Sequence, residues 1–395
     1  MRRAAETALP PPPQVACYIV RGSSARPFGI STGERIRRSL ARIGIAMVAD
    51  HPQLMPRMPQ ILVIRGDYVY DPEVVIGLAR TPGAAMPDSN GKIVAAHVLA
   101  ADAPAVIKAL NDDAAMPEGL ATPLAVMGPA EVAGSYRNAL RKRAPPVVEP
   151  ISMATMAAVE RKLFDASYKG VTDLVTKYVW PRPAFHVTRR LAHLHVKPNP
   201  VTWVSLVFVV LAFGFFGMGW FIPGLACAWM MCFLDTVDGK LARCTVASSK
   251  FGDWFDHGID LIHPPFWYWA WVSGLGKAHI THTYEYELLA VVVGGYLIGR
   301  LQEGLFLWWF KIEMHVWRRF DSLFRLVTAR RNPNLLLLTA GALVGRPDWG
   351  FVAVAAWTLV SIAVHTLRIL WAGVVRLAAG KGAMRSWLAD PERAG

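Results

Sequence analysis

The chemistry legible in this chain is carried by Asp235, Asp238, Gly239, Ala242, Arg243, Gly252, Asp256 and Asp260, spaced D-x2-D-G-x2-A-R-x8-G-x3-D-x3-D. The four carboxylates lie in and between apolar segments. Buried charge there is costly unless it is paired or metal-bound, so each carboxylate is a candidate functional group. Residues three or four apart share a helix face. Asp235 and Asp238 therefore face together on one helix, and Asp256 and Asp260 on the next. A hairpin of the two helices would aim all four at one point. Oxygen-only ligands suit a hard divalent cation, Mg2+ or Mn2+, and several carboxylates together suit a two-metal site that grips phosphate oxygens. Gly239 and Gly252 let backbone or ligand approach closely, and Arg243 offers a guanidinium fork to a phosphate. For the neighbouring Asp253 the expectation is a solvated loop position, and for His257 and His263 it is packing.

These residues sit in the membrane-like half of a 395-residue chain that is 53% hydrophobic and carries a formal charge of +13 and 15 Trp. The length allows two domains. Basic charge with abundant Trp fits an anionic membrane surface; no nucleic-acid motif accompanies it. Cys17, Cys227, Cys232 and Cys244 form no C-x-x-C pair or small-domain framework, which argues against zinc and disulfides. Residues 1–14, including the run Pro10 to Pro13, read as a disordered lead-in without a signal-peptide core. Residues 15–150 alternate short apolar runs (15–20, 42–49, 59–67) with charged helical stretches such as GERIRRSLARIG (33–44), which predicts a soluble α/β domain. Residues 151–200 read as connector and juxtamembrane helices, with a Pro-rich, basic link at 139–153, and His186, His193 and His195 as interfacial or packing residues.

From residue 201 to 376 six membrane spans are expected, at 201–218, 221–241, 254–275, 286–310, 333–346 and 350–375, the fifth being short. Residues 377–395 form a tail. Arg189, Arg190, Lys197, Arg243, Lys250, the basic run from Lys311 to Arg331, Arg376 and Lys381 all fall on one side if six spans alternate, whereas the opposite loops hold chiefly Lys277 and Arg346. Both termini, the soluble domain and the carboxylate hairpin should then face the cytoplasm from an inner or plasma membrane.

FLDTVDGKLARCTVASSKFGDWFDHGID (233–260) closely resembles the signature of the CDP-alcohol phosphotransferase family, with all eight motif residues in place, and KPNPVTWVSL (197–206) resembles the P-N-x-x-T start of that family's first span. The resemblance covers roughly 180–376. It implies a six-span homodimer that binds Mg2+ or Mn2+, cleaves a CDP-alcohol, moves the phosphoalcohol unit to a hydroxyl and releases CMP in phospholipid synthesis. It also implies that Asp235, Asp238 and Asp256 hold metal, that Asp260 deprotonates the acceptor and also touches metal, and that Gly239, Ala242 and Arg243, with Gly252, line the CDP pocket. Two donor types stay open: CDP-diacylglycerol with a soluble acceptor, or a soluble CDP-polyol with a lipid or polyol-phosphate acceptor. At least one substrate is expected to be a lipid. A noncatalytic transporter or scaffold is the rival reading and predicts no CMP release.

Residues 33–45 and 61–75 faintly resemble a sugar or polyol-phosphate nucleotidyltransferase, in which Asp67 would stand near the nucleotide metal. The expected G-x-G-x-R loop is replaced by RGSSARPFG (21–29), so a degenerate or regulatory domain is the favoured reading, with an active cytidylyltransferase or an unrelated α/β module as alternatives. On the acceptor side, Arg300 and Glu303 are spaced to pair. The basic segment 311–334, with His315, Arg318, Arg325, Arg330 and Arg331, is read either as a lipid-anchoring helix or as a holder of an anionic acceptor.

Overall fold

The computed structural model describes residues 14–51, 58–121, 123–247, 250–280 and 284–389; side chains 250, 251, 253, 256 and 381 also lie outside the description. The expected lead-in and most of the tail beyond 389 therefore fall outside the described residues.

The chain starts on a mixed sheet. β1 (Val15–Val20), reading VACYIV, is buried throughout, because helices cover both faces of the sheet. Alternate residues serve opposite cores. Cys17 and Ile19 pack in one cluster with Ile36 and Leu40 of α1 (Thr32–Ala41). Ala16, Tyr18 and Val20 pack in the other with Val106 and Leu110 of α3 (Ala103–Asp112). β2 (Val48–Ala49) and β3 (Gln60–Arg65) flank β1 in parallel. β6 (Ile93–Leu99) runs antiparallel to β3 and to β5 (Ala84–Pro87), and β7 (Ala125–Val126) closes the order β2-β1-β3-β6-β5-β7. Ser31 caps α1 by accepting the Glu34 N–H at 3.2 Å, and Asp71 caps α2 (Pro72–Arg80). The apolar run 42–49 supplies only two strand residues.

The segment expected as a connector carries secondary structure of its own. After α4 (Pro129–Ala133) comes a small hairpin of β8 (Tyr136–Arg137) and β9 (Lys142–Arg143). β10 (Val148–Pro150) then pairs antiparallel with β4 (Tyr68–Tyr70). α5 (Met156–Ala166) and α6 (Pro181–His193) lead to the apolar half.

That half contains α7 (Pro198–Gly217), α8 (Phe221–Cys244), α9 (Lys250–Lys277), α10 (Glu285–Phe310), the short α11 (Arg319–Phe324), α12 (Arg331–Leu343) and α13 (Pro347–Ala379). Among the described residues, four helices are long and apolar enough to cross a bilayer: α7, α8, α10 and α13. Two of the six expected spans, α9 and α12, are not in this set. α9 carries Asp253, Asp256, His257, Asp260 and His263 in its first half and aromatic residues in its second. α12 has 13 residues, about 20 Å at 1.5 Å per residue, against a hydrocarbon core of about 30 Å. Exposed Trp203, Val207 and Val210 on α7 and Leu367, Leu370 and Trp371 on α13 present apolar surface suited to acyl chains, so the protein is membrane-associated. Helices meet closely where glycine removes a side chain: a Cβ on Gly274 of α9 would lie 1.9 Å from the Phe216 carbonyl of α7, and one on Gly341 of α12 would lie 2.5 Å from the Gly350 Cα of α13.

Candidate active site

The site forms at the end of α8 that carries its carboxylates. α8 is apolar for nearly four turns and then carries Asp235, Asp238, Gly239 and Arg243. Asp238 is 4% exposed, and its Oδ2 accepts the Thr202 hydroxyl at 2.7 Å. Thr202 is the threonine of the P-N-x-x-T start of α7, so that element fixes one carboxylate of the next helix. Gly239 leaves room for Arg243 to fold back along α8: a Cβ at Gly239 would stand 3.1 Å from Arg243 Nη2.

α9 brings Asp260 to the same place. Arg331, the first residue of α12, lays its guanidinium between the two helices, with Nη2 donating to Asp235 Oδ2 at 2.5 Å and Nη1 donating to Asp260 Oδ1. Carboxylates far apart in sequence therefore converge on one cation. Among the described residues, no three His, Cys, Asp or Glu side chains are grouped to hold a metal. The Asp256 side chain, an expected ligand, lies outside them, as does that of Asp253.

These groups open onto a cavity of about 500 Å3. Asp235, Gly239, Arg243 and Asp260 line it; Asp238, Ala242 and Gly252 are not among its described lining residues. Its walls are cationic. Arg141, Lys169, Lys240, Arg243, Arg300, Arg325, Arg330 and Arg331 outnumber Asp173, Asp235, Asp260 and Glu303. Such a field concentrates phosphates. His257, expected to pack, is exposed and faces the cavity, whereas His263 is buried with Nδ1 2.7 Å from the Ile259 carbonyl and its ring against Trp267.

The basic segment after α10 is divided. Arg325, Arg330 and Arg331 reach the cavity, while Arg318 stacks on Trp317. His315 is buried with Nε2 3.1 Å from Glu303, and burial pushes it down to about 3. Arg300 and Glu303 do approach, at 3.6 Å, but Arg330 also pairs with Glu303. Arg325 is 8% exposed. Burial and the adjacent Arg330 charge push it down to about 9, against the pull of Asp173 and Glu303. Asp173 accepts from Thr176 N–H at 3.0 Å and from Asn332 Nδ2 at 2.9 Å. Burial alone would raise its pKa; those bonds and Arg325 hold it below the usual carboxylate range. Arg141, Lys169, Asp173 and Asn332 had no sequence signal, because they come from loops and helix ends with no fixed spacing to the motif.

Residues 195–336 match the CDP-alcohol phosphatidyltransferase family. An archaetidylinositol phosphate synthase from Pyrococcus horikoshii is 35% identical over 80 residues, which are 20% of this chain and 42% of that protein. The chain thus spans less than half the length of this curated relative. The matched region starts just before Thr202 and ends beyond Arg331, so it contains every carboxylate of the hairpin and the cation that joins two of them. On the strength of that match and this geometry, the chain carries a CDP-alcohol phosphatidyltransferase family domain at residues 195–336.

Proposed function

We propose that this domain is a divalent-metal-dependent phosphotransferase that moves the phosphoalcohol unit of a CDP-alcohol to a hydroxyl and releases CMP in phospholipid synthesis. The observation that carries the reading is the convergence of Asp235 and Asp260, from different helices, on one cation inside a basic cavity. The donor set fits Mg2+ or Mn2+: carboxylate oxygens, already sharing a positive charge, with Asp238 held behind them by Thr202. Asp235, Asp238, Asp256 and Asp260 would hold the ion. When bound, it would neutralise pyrophosphate charge and make CMP a better leaving group.

The chain's own groups do the rest. Arg243 and Lys240, with the open backbone at Gly239, receive the CDP phosphates, and Ala242 and Gly252 shape the pocket. The cationic walls hold the acceptor so that its hydroxyl oxygen lies in line with the phosphorus that bears the donor alcohol. That oxygen forms the new P–O bond, the P–O bond to CMP breaks with its electron pair on CMP, and the acceptor proton passes to Asp260. Asp260 is a weak base in isolation; position and the rising acidity of the alcohol make it effective.

Arg325 and Arg330 in the wall favour an anionic acceptor. Both donor classes, CDP-diacylglycerol and a soluble CDP-polyol, remain within the proposal. So do a six-span arrangement in which α9 and α12 complete the four long apolar helices, a homodimer, and an orientation with the site and N-terminal domain facing the cytoplasm. The test is CMP release by detergent-purified protein with Mg2+ or Mn2+, given CDP-diacylglycerol or CDP-polyols together with lysate metabolites and lipids. Metal-dependent CMP from one donor class, lost in Asp256→Asn, supports the reading. Absence of CMP from folded protein with verified substrates favours a transporter or scaffold.

A further inference from the structure

The N-terminal domain is bolted to the helix that carries the site. Arg35 of α1, 4% exposed, donates Nη1 to the Cys244 carbonyl at the end of α8. Arg38 Nη1 donates to the Thr245 carbonyl at 2.8 Å. These are orphan carbonyls of a helix C-terminus, where cations are favoured. The loop 21–29, which the sequence carries in place of the expected G-x-G-x-R loop, packs against α5 and α6. Phe28 is fully buried, and its N–H donates to Glu160 Oε1 of α5 at 2.8 Å. Gly29 has φ +74, and a Cβ there would meet the Ala192 carbonyl of α6 at 2.6 Å. Asp67 is taken up by Arg65, at 2.8 and 2.5 Å. Both features that suggested nucleotide chemistry in this domain are therefore engaged elsewhere.

The same domain reaches the cavity. The turn of the β8–β9 hairpin places Arg141 at φ 46, a left-handed conformation uncommon for a non-glycine residue. Gly170 presses against that turn. Its N–H donates to the Leu140 carbonyl at 2.9 Å, and a Cβ on it would lie 2.5 Å from the Arg141 carbonyl. The Arg141 side chain pairs through Nε with Glu313 and lines the cavity beside Arg325. Arg325 Nε and Nη1 are buried with no hydrogen-bond partner among the described residues, so two guanidinium donors there await acceptor oxygens.

We infer that the N-terminal domain is a built-in wall of the transferase site, whose Arg141 acts with Arg325 to bind the phosphate of a phosphorylated acceptor. This rests on the transferase reading for the acceptor's role, and on geometry alone for the anion site. It makes Arg141 a specificity-determining residue supplied from outside the matched region.

The test is calorimetric titration of full-length, detergent-purified protein with inorganic phosphate, with Mg2+ and CMP present. Wild type should bind phosphate saturably. Arg141→Ala should weaken binding roughly tenfold, as expected for a charge-assisted contact, and Arg141→Lys should recover part of it. Gly170→Ala, which displaces the turn without removing the charge, should weaken it several-fold; Asp67→Ala should leave it unchanged. With the natural acceptor, Arg141→Ala should raise the acceptor KM more than it lowers kcat. Wild-type phosphate affinity in folded Arg141→Ala, or no phosphate binding by wild type, overturns the inference. Phosphate binding that depends on Arg141 in a protein that never releases CMP would instead sink the transferase reading and leave the anion site standing.

Discussion

Arg331 Nη2 lies 2.5 Å from Asp235 Oδ2, and the other arm of the same guanidinium reaches Asp260. The arginine holds two facing carboxylates together and competes for the oxygens that a divalent ion would need. In Arg331→Gln the carboxylates lose their counter-charge. Without divalent metal the variant should lose about 1–2 kcal/mol, less than for a fully buried pair, because the Asp260 side chain is 41% exposed. Mn2+ should then raise its melting temperature more than that of wild type. Thermal unfolding with and without Mn2+ checks this; an equal or smaller gain in the variant contradicts it.

The Thr202 hydroxyl donates to Asp238 Oδ2 at 2.7 Å, and the Gly239 backbone also bonds to that carboxyl group. Thr202→Val keeps the shape and removes the bond, at a cost of about 0.5–1.5 kcal/mol. Turnover should fall in Thr202→Val and largely recover in Thr202→Ser. Equal activity of the two variants would show that the bond does not position Asp238.

Part of the proposed site was legible where its residues keep a fixed spacing along helices. Asp235 and Asp238 are three apart on α8, and Asp256 and Asp260 four apart on α9, so a shared face could be read for each pair. Asp235 and Asp260 line the cavity, Asp238 is bonded to Thr202, and the Asp256 side chain lies outside the described residues. Thr202 was signalled by its place at the start of α7. Arg331 was not: it belongs to a run of basic residues that reads equally as a lipid anchor, and only the packing of α12 against α8 singles it out. Arg141 is harder still, since its role depends on a domain docking through Phe28 and Arg35. The mixed sheet followed by apolar helices was visible in the change from short apolar runs to long ones. Four of the six expected spans are long, apolar helices among the described residues; α9 and α12 fall outside that set because α9 mixes carboxylates and histidines with its apolar residues and α12 has only 13 residues.

Close helix packing should be sensitive at single glycines. A Cβ at Gly341 would stand 2.5 Å from the Gly350 Cα, a backbone atom with no rotamer to yield. Gly341→Ala should cost about 1–3 kcal/mol by overpacking and should also lower turnover, because α12 carries Arg331. Gly294 of α10 has no atom within 4 Å of the added carbon, so Gly294→Ala should be neutral or slightly stabilising. Thermal unfolding in detergent compares the two; similar losses would contradict the packing argument.

His97 on β6 has zero exposure, with Nδ1 2.9 Å from the Leu78 carbonyl. Burial lowers its pKa below 6.5, despite opposing contacts with backbone carbonyls of Leu78 and Thr81. The unfolded chain therefore binds the proton first. The contribution of His97 to stability is full above about pH 6.5 and is lost as pH falls toward the folded-state pKa. Hydrogen exchange of the β3 and β6 amides should be faster at pH 5 than at pH 8 after correction for intrinsic rates, and His97→Gln should flatten that difference. An unchanged pH dependence in the variant would assign it to other groups.

The central claim is that Asp260 takes the acceptor proton in a metal-dependent transfer. Asp260→Asn keeps the shape of the side chain and removes its basicity. The direct measurement is CMP release by this variant beside its affinity for CDP in the presence of Mn2+. The account predicts CDP binding close to wild type with turnover reduced about 10²- to 10⁴-fold, the range for general-base loss. Lost CDP affinity with turnover close to wild type at saturating donor would contradict it and leave Asp260 a nucleotide-binding group.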